Sequence, residues 1–300
     1  MTASRLTCVV TGASGLVGQH LLPVLAQTRD VIALVRKAPV SAPGQNGIAH
    51  LDNVEYIEGD LTSPQVADLL PSRVDAVIHL AQSRRFREFP DGVADVLAVN
   101  VASTEQLTRY AVRAGASHFV YASSGGVYAT SHAPLPETAP LATPAHVGWY
   151  QASKIAAEAL VHAYRYAFTP IVLRPFFVYG AGQARHMLLP RLCDAIRAGR
   201  PVQLAGEQGM SLSLTHANDA AAAIVRALDL AAPATINLAG PEALTVREIA
   251  VTLGAAVGVA PVFDVTGAAG PSYVADTTLM RALLGAPQHR FAQQLHTILH

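Results

Sequence analysis

A tyrosine and a lysine stand four residues apart, at Tyr150 and Lys154, a spacing that puts two side chains on one face of a helix. A phenol is a poor base near neutral pH because its ordinary pKa is about 10. A neighbouring ammonium group stabilises the phenolate, so we expect Lys154 to lower the pKa of Tyr150. Such a tyrosine can take a proton from a secondary alcohol, or return one to a ketone, while a hydride moves to or from a nicotinamide.

Glycines recur at every third position near the N-terminus, at Gly12, Gly15 and Gly18. The first allows a tight turn, the second lets a pyrophosphate approach the beginning of a helix, and the third lets that helix pack closely on a strand. An apolar run precedes this turn and a helical pattern follows it, so the sequence predicts a dinucleotide site. The residues predicted to complete the phosphate-binding turn are Ser14, Leu16 and Val17.

The end of the second predicted strand bears on which nicotinamide cofactor fits. An acidic residue there would hydrogen-bond the ribose 2′-hydroxyl of NAD. The sequence has Arg36 and Lys37 instead, and a guanidinium can bind a 2′-phosphate through two hydrogen bonds. The pattern favours NADP, while NAD beside a solvated Arg-Lys pair is the alternative.

Short apolar runs alternate with amphipathic stretches over the first 175 residues. The runs predict strands near 6–10, 31–35, 54–57, 76–80, 118–122 and 171–174, and the stretches predict helices at 16–27, 91–114 and 150–167. Strands that are apolar on both faces are typical of a parallel sheet covered by helices. The alternation therefore predicts an α/β fold with a Rossmann-type doubly wound parallel sheet.

The alternation becomes less regular after Pro175. We expect residues 1–175 to form the dinucleotide-binding domain, with a segment at about 212–238 returning to it. Residues 176–211 and 239–300 are expected to form a smaller C-terminal α/β lobe that binds the substrate. Further local patterns predict a helix at 188–198, a surface loop at 37–53, a capping box at 245–248 and a tail, 258–300, without clear strand order.

Composition excludes several other classes of protein. The chain has 300 residues, of which 51% are hydrophobic, and its 21 basic and 21 acidic residues give zero formal net charge. This composition argues against a disordered chain and provides no overall field to hold nucleic acid or an anionic membrane. Two cysteines build no disulfide framework, and no residues show metal-ligand spacing. We therefore expect a cytoplasmic protein that binds a small-molecule substrate, without a metal or a membrane span.

The order of these motifs carries more information than each motif alone. The glycine turn, the pair Ser123-Ser124 and the Tyr150/Lys154 pair follow one another as they do in the extended short-chain dehydrogenase/reductase family, also called the NAD-dependent epimerase/dehydratase family. The chain resembles this family to about Pro287. Further matching motifs are Gly59-Asp60-Leu61, His79-Leu80-Ala81, Asn100-Val101, Leu173-Arg174-Pro175-Phe176 and His216-Ala-Asn-Asp219.

The resemblance implies roles for individual residues. Ser124 would hydrogen-bond the reacting oxygen, Tyr150 would act as acid and base, and Lys154 would also bind the nicotinamide ribose. Asn100 would order the site through water or backbone. The residues implied to border the cofactor are Asp60, Leu61, Leu80, Ala81, Gln82, Asn100, Pro175 and Phe176. The resemblance also implies a homodimer in which the helices at 91–114 and 150–167 form a four-helix bundle.

Departures from the family pattern reduce the number of reactions that the chain is expected to catalyse. Dehydratases of the family have an Asp-Glu pair after the catalytic serine or threonine, where this chain has Gly125 and Gly126. Without a carboxylic acid to protonate a leaving hydroxyl group, dehydration is disfavoured, and so is the related decarboxylation. A ketoreductase or alcohol dehydrogenase is the first hypothesis, and a nucleotide-sugar 4-epimerase with tightly bound NAD is the alternative. A non-catalytic NADP-binding protein is disfavoured by the intact set of Ser124, Tyr150 and Lys154.

A second departure concerns the substrate. Family members that act on nucleotide sugars hold the diphosphate with asparagine and arginine side chains, which are replaced here by Phe177, Leu212 and the run 270–276. A nucleotide diphosphate is therefore less expected than family membership alone suggests. Arg84, Arg85 and Arg87 follow the fourth strand and can bind an anionic substrate instead, although a solvated basic loop is the alternative explanation. The candidate substrate residues are Ser124, Arg84, Arg85 and Phe177.

Overall fold

A computed structural model of the chain describes residues 5–38, 51–270 and 272–299. The strands in these ranges are β1 (Thr7–Thr11), β2 (Asp30–Val35), β3 (Val54–Glu58), β4 (Ala76–His79), β5 (His118–Ala122), β6 (Thr169–Pro175), β7 (Val178–Tyr179), β8 (Val202–Ala205), β9 (Ser211–Ser213), β10 (Thr215–His216), β11 (Ala234–Leu238), β12 (Ala243–Thr245) and β13 (Phe263–Thr266). The α-helices are α1 (Leu16–Leu25), α2 (Val93–Val96), α3 (Ser103–Arg113), α4 (Trp149–Ala163), α5 (Leu188–Arg197), α6 (Ala217–Ala227), α7 (Val246–Val257) and α8 (Thr278–Leu283). A π-helical turn (Leu97–Ala102) joins α2 to α3, and 3₁₀ helices span Val66–Leu69, Gly125–Val127 and Phe291–Thr297.

Seven parallel strands form the central sheet, in the order β11-β6-β5-β4-β1-β2-β3. This order confirms the predicted Rossmann-type α/β fold. The chain runs from β1 outward through β2 to β3, then returns to place β4 on the other side of β1. A crevice opens at the carboxyl ends of the strands where the order reverses, between β1 and β4, which is where ligands bind in such sheets.

The sheet is buried on both faces, as its apolar strands require. Side chains alternate along a strand, so Cys8 and Val10 join the apolar layer under α1 and α6, while Val9 joins the layer under α3 and α4. All three side chains are at most 1% exposed. These two layers fix the strand ends, and with them the residues that follow each strand.

A further apolar cluster lies in the chain beyond β6. It includes Leu189 of α5, Leu204 of β8 and Leu253 of α7. Short two-stranded pairings accompany it, β7 with β10, β9 with β12 and β8 with β13. Of these strands, β13 lies in the tail 258–300, for which the sequence showed no clear strand order. From the segment 212–238, β11 pairs with β6 in the central sheet and α6 packs on α1. The division into two domains at the stated boundaries stays a prediction.

Helix ends differ from the prediction by a few residues. The helix predicted at 150–167 ends at Ala163, and the one predicted at 91–114 is interrupted by the π-helical turn. Gly115 adopts a left-handed φ of +70° after α3, as a residue that ends a helix. The capping box is confirmed, since Thr245 Oγ1 accepts from the Glu248 N–H at 3.1 Å and Glu248 Oε2 accepts from the Thr245 N–H at 2.8 Å.

Two further predictions concern the loop and the membrane. Residues 39–50 of the predicted surface loop lie outside the described residues. Within the described residues, the helices are all too short or too polar to cross a bilayer.

Candidate active site

The glycine turn between β1 and α1 fits the pyrophosphate of a dinucleotide. Gly12 has a left-handed φ of +71°, and a Cβ there would lie 2.6 Å from the Ala81 nitrogen, so only glycine is tolerated. Gly15 is the N-cap residue of α1 and provides no side-chain cap, and the first turn of the helix contains no acidic residue. The N–H groups that begin α1 therefore have no capping side chain, and they are the donors that bind phosphate at a helix N-terminus.

The residues predicted to lie near the adenine end follow β2 and β3. Arg36 is exposed directly after β2. The Asp60 carboxylate accepts hydrogen bonds from the N–H and the hydroxyl of Thr62, both at 2.9 Å. These hydrogen bonds, and then the charge of Arg36, lower the pKa of Asp60. Arg36 and Asp60 are therefore close enough to act on one another, while Leu61 packs against the apolar layer under α3.

Tyr150 meets two polar side chains at the carboxyl ends of β4 and β5. Its hydroxyl donates to Gln82 Oε1 at 3.0 Å and accepts a hydrogen bond from Ser124, which lowers the pKa of the tyrosine. Ser124 Oγ itself accepts from the Gly126 N–H at 3.0 Å, which leaves its proton for Tyr150. The structure thus brings Ser124, Tyr150 and Gln82 together at one point.

The lowering of the Tyr150 pKa by Lys154 stays a prediction, because burial and Ser124 are the causes that shift this pKa in the structure. Burial raises the pKa of Tyr150 to about 12 and outweighs the hydrogen bond from Ser124. Lys154 Nζ donates to the Ala122 carbonyl at 2.7 Å and lies 6.0 Å from the centre of the Tyr150 ring. The lysine is itself only 1% exposed, and this burial lowers its pKa to about 7. The ammonium group therefore stands beside the tyrosine but is held by a backbone carbonyl.

A buried ion pair supports this lysine. Glu158, one helical turn beyond Lys154, accepts from Arg174 Nε at 3.0 Å and from Arg174 Nη2 at 2.6 Å. It also accepts from the hydroxyl of Ser123, the residue between Ala122 and Ser124. Its negative charge raises the pKa of Lys154 against the effect of burial. The sequence prediction missed Glu158, although its spacing from Lys154 and the polar residue Arg174 within an apolar strand were readable signals.

Asn100 joins the two segments that carry Gln82 and Tyr150. It is fully buried in the π-helical turn, where Oδ1 accepts from the Ser83 N–H at 2.8 Å and Nδ2 donates to Ser153 Oγ at 2.9 Å. Ser153 Oγ in turn donates to the Tyr150 carbonyl at 2.7 Å. Sequence reasoning expected Asn100 to act through water or backbone, and the structure shows one contact with a backbone N–H and one with a side chain. The π-turn that aims this side chain has no distinct sequence period.

Phe176 explains the glycine that follows Ser124. Its ring packs so closely that a Cβ on Gly125 would lie 2.5 Å from it. A carboxylate side chain has no room at this position, and the loss of dehydration chemistry stays a prediction. Leu80 packs against the apolar layer under α1, and Pro175 ends β6 directly before Phe176.

The residues at the expected diphosphate position are apolar. Phe177 adopts φ of +30°, a conformation rare for a bulky side chain, and its ring meets the edge of Tyr273 at 6.1 Å. Leu212 is fully buried. The structure therefore shows an aromatic pair and a buried aliphatic side chain at these positions, and their correspondence to the diphosphate-binding residues of nucleotide-sugar enzymes stays a prediction.

The three arginines after β4 differ in their surroundings. Arg85 Nε donates to Glu88 Oε2 at 2.7 Å, so its charge is already paired at the surface. Arg87 lies 5.1 Å above the Phe86 ring and reaches the His186 carbonyl at 3.4 Å. Arg84 is exposed. The candidate role in substrate binding is therefore better suited to Arg84 and Arg87 than to Arg85.

An open cavity of about 1090 Å³ adjoins Tyr150. Its lining includes the aromatic rings of Phe86, Phe89 and Trp149, and the Phe86 ring lies 5.0 Å from that of Tyr150. The sequence prediction did not include these aromatic residues. Within the described residues, no group of three or more potential ligands is placed to hold a metal ion.

Comparisons with known proteins agree with this geometry. A model of the NAD dependent epimerase/dehydratase family matches residues 8–239. The structure of MoeE5 in complex with UDP-glucuronic acid and NAD is similar at a TM-score of 0.82 and 27% identity, over 98% of this chain and 97% of that one. A dTDP-4-dehydro-6-deoxy-D-allose reductase of Streptomyces bikiniensis is 26% identical over 86% of this chain and 84% of its own length. An uncharacterised UDP-glucose epimerase, YtcB of Bacillus subtilis, is 26% identical over 80% and 79%.

Proposed function

We propose, from the premise that this chain belongs to the NAD-dependent epimerase/dehydratase family, that it transfers a hydride between a nicotinamide cofactor and a secondary alcohol or ketone. The observation that carries the proposal is the Tyr150 hydroxyl, which bonds Gln82 at 3.0 Å and accepts from Ser124 at the sheet edge that faces the crevice. Lys154 lies on the next turn of the same helix. This set provides an acid, a donor to the reacting oxygen and a cation.

The residues of this chain divide the reaction among them. The turn from Gly12 to Gly18 would hold the dinucleotide, whose nicotinamide supplies or accepts the hydride. In reduction, Tyr150 gives its proton to the ketone oxygen while Ser124 donates a hydrogen bond to the same oxygen. Lys154 lies close enough to stabilise the phenolate that remains. In alcohol oxidation the same proton returns to Tyr150.

A nucleotide-sugar 4-epimerase is the second candidate. It uses the same groups twice, since it oxidises one carbon and then reduces it again from the other face. MoeE5 was solved with a UDP-sugar and NAD, and curated relatives carry the names of an epimerase and of a sugar reductase. These comparisons support the epimerase more strongly than a reductase of other ketones. Phe177 and Leu212 argue against it, because neither can bind a diphosphate.

One pair of assays separates the two candidates. A reductase consumes one NADH or NADPH per alcohol formed from a panel of ketones, followed by the absorbance of the reduced cofactor. An epimerase retains its cofactor through purification and interconverts UDP-glucose or UDP-glucuronic acid with their 4-epimers, followed by NMR, without net cofactor turnover. A protein that does neither, although it binds the cofactor, would show that the proposed function is wrong.

Cofactor choice is the next proposal, and we place the 2′-phosphate of NADP beside Arg36. Replacing Arg36 with serine is expected to weaken NADPH binding roughly 10- to 100-fold, because two charge-assisted hydrogen bonds are lost. NADH binding should stay nearly unchanged. Cofactor fluorescence titrations of the wild-type protein and of R36S measure both affinities, and a preference of the wild-type protein for NADH would contradict the proposal. The NAD found in MoeE5 supports that alternative.

Assembly is a further proposal that follows from family resemblance. We propose a homodimer in which the helical stretch 93–113 and α4 pair with their copies to form a four-helix bundle. The exposed apolar side chains of Leu97 and Val112, each 43% exposed, support this arrangement.

The smaller substrate-binding lobe of residues 176–211 and 239–300 is likewise a proposal, supported by the separate apolar cluster around α5 and α7.

A further inference from the structure

Gln82 is the least expected contact of the reactive tyrosine. It follows β4 directly after Ala81, and the family resemblance implies only that it borders the cofactor. In the structure its amide oxygen accepts from the Tyr150 hydroxyl at 3.0 Å, across 68 residues of sequence. Gln82 is exposed to the crevice, so the contact lies where a substrate carbonyl would arrive.

The backbone on both sides of this contact is fixed. Ser83, the next residue, donates its N–H to Asn100 Oδ1 at 2.8 Å, and its hydroxyl bonds Asp95. The other side of the same Asn100 amide donates to Ser153 Oγ at 2.9 Å, and Ser153 is bonded to the Tyr150 carbonyl. One fully buried amide therefore sets the distance between the two segments. The meeting of Gln82 and Tyr150 follows from this framework.

The direction of the hydrogen bond determines its chemistry. An amide oxygen can only accept, so this bond exists while Tyr150 keeps its proton. A hydrogen bond made to the neutral form of an acid disfavours ionisation. Ser124 acts in the opposite sense, because its hydroxyl donates to the phenol oxygen and lowers the pKa of Tyr150. Gln82 and Ser124 thus stabilise opposite protonation states of one hydroxyl group.

Other titratable or charged groups also face Tyr150. Lys154 on α4 lies 6.0 Å from the ring, and the charge of an ionised Tyr150 contributes to raising the pKa of Tyr121 on β5. Arg87 approaches through Phe86, which packs on the Tyr150 ring. At one remove, Glu158 acts on Lys154, and His79 stays neutral because burial lowers its pKa to about 3. Within the described residues, none of these groups is hydrogen-bonded to the phenol hydroxyl. Their effects on the pKa of Tyr150 should therefore be the same in the Gln82 variants as in the wild-type protein.

We propose that Gln82 is a catalytic residue that holds the Tyr150 hydroxyl as a proton donor and so favours ketone reduction over alcohol oxidation. The inference rests on the proposed function for its reaction. In the reductive step the ketone carbon gains the hydride, the ketone oxygen gains the proton of Tyr150, and the tyrosine is left as a phenolate that solvent reprotonates. The ketone oxygen replaces Gln82 as the acceptor of the Tyr150 proton before that step, and Gln82 regains its hydrogen bond when the phenol is restored.

A titration of the tyrosine tests the contact without any substrate. The protein is labelled with ¹³Cζ-tyrosine, and the Tyr150 resonance is identified by its loss in Tyr150→Phe. We expect Gln82→Ala to move the midpoint of the Tyr150 titration to lower pH by about one unit, and Gln82→Glu to move it to higher pH through the added carboxylate. Gln151→Ala is the matched control, because this neighbouring amide lies against Gly126 and Gly148. It should leave the midpoint unchanged.

Kinetics test the consequence for the reaction. With a ketone and the corresponding alcohol identified by the cofactor assay, Gln82→Ala should lower kcat for reduction and move the pH profile of oxidation to lower pH, with KM little changed. An unchanged tyrosine midpoint in both Gln82 variants would overturn the proposal. A shifted midpoint in a protein that turns over no ketone, alcohol or UDP-sugar would instead refute the proposed function and leave the contact established.

Discussion

Replacing Tyr150 with phenylalanine is expected to lower kcat for hydride transfer by about 10²- to 10⁴-fold, the range that a positioned acid/base contributes. The variant loses the hydroxyl that bonds Gln82 and Ser124 but keeps the ring that packs on Phe86 at 5.0 Å. Folding and cofactor affinity should therefore change little. Turnover by the cofactor-absorbance or UDP-sugar assay, together with cofactor titration of the same preparation, measures both quantities.

A matched control distinguishes the hydroxyl at the site from tyrosine hydroxyls in general. Tyr166 lies just beyond α4 and is 86% exposed, so Tyr166→Phe should retain wild-type turnover. If Tyr150→Phe also retained full turnover, the assignment of Tyr150 as acid and base would be wrong. A loss of cofactor binding in Tyr150→Phe would instead show that the substitution disturbs the crevice.

Removing the charge of Glu158 is expected to have the largest effect on stability. Glu158→Gln leaves Arg174 and Lys154 as buried cations without their carboxylate, and breaking a buried ion pair by removing one partner costs about 3–5 kcal/mol. Both side chains of the pair are nearly inaccessible, at 7% and 6% exposure, so water cannot replace the lost partner. Urea unfolding followed by circular dichroism gives the free energy of unfolding. The midpoint should fall well below that of the wild-type protein.

An exposed ion pair provides the control for this prediction. Glu105 pairs with Arg109 on the exposed side of α3, with side chains 41% and 65% exposed. Exposed pairs of this spacing contribute about 0.3–0.5 kcal/mol, so Glu105→Gln should hardly move the unfolding midpoint. Equal losses in Glu105→Gln and Glu158→Gln would contradict the role assigned to the buried pair.

The sequence predicted the framework of the site because that framework depends on local pattern. Apolar runs bounded by turns gave six strands of the central sheet to within a residue or two at most ends. Glycine at Gly12 is readable since its conformation and its lack of a Cβ are properties of one residue. Tyr150 and Lys154 are readable because helix geometry alone relates residues four apart.

The positions of the remaining groups at the site depend on contacts between residues that are far apart in the sequence. Glu158 meets Arg174 and Ser123 from different elements, and the aromatic lining around Phe86 comes from the loop after β4 and from the beginning of α4. Contacts of this kind depend on strand order and on the exact approach of a helix, which no local period encodes. The π-helical turn that aims Asn100 is a further example, since its sequence reads as an ordinary helix.

The protonation behaviour of the site shows most clearly which properties follow from the sequence and which depend on the tertiary structure. The sequence by itself determined the fold class, and it predicted the phosphate-binding turn and the reactive tyrosine, because each follows from residue type and spacing. Only the tertiary structure decided how that tyrosine ionises. Burial raises the pKa of Tyr150 and lowers that of Lys154, and a carbonyl rather than the phenol receives the ammonium group. Desolvation depends on everything packed around a group, and that is fixed only when the whole chain has folded.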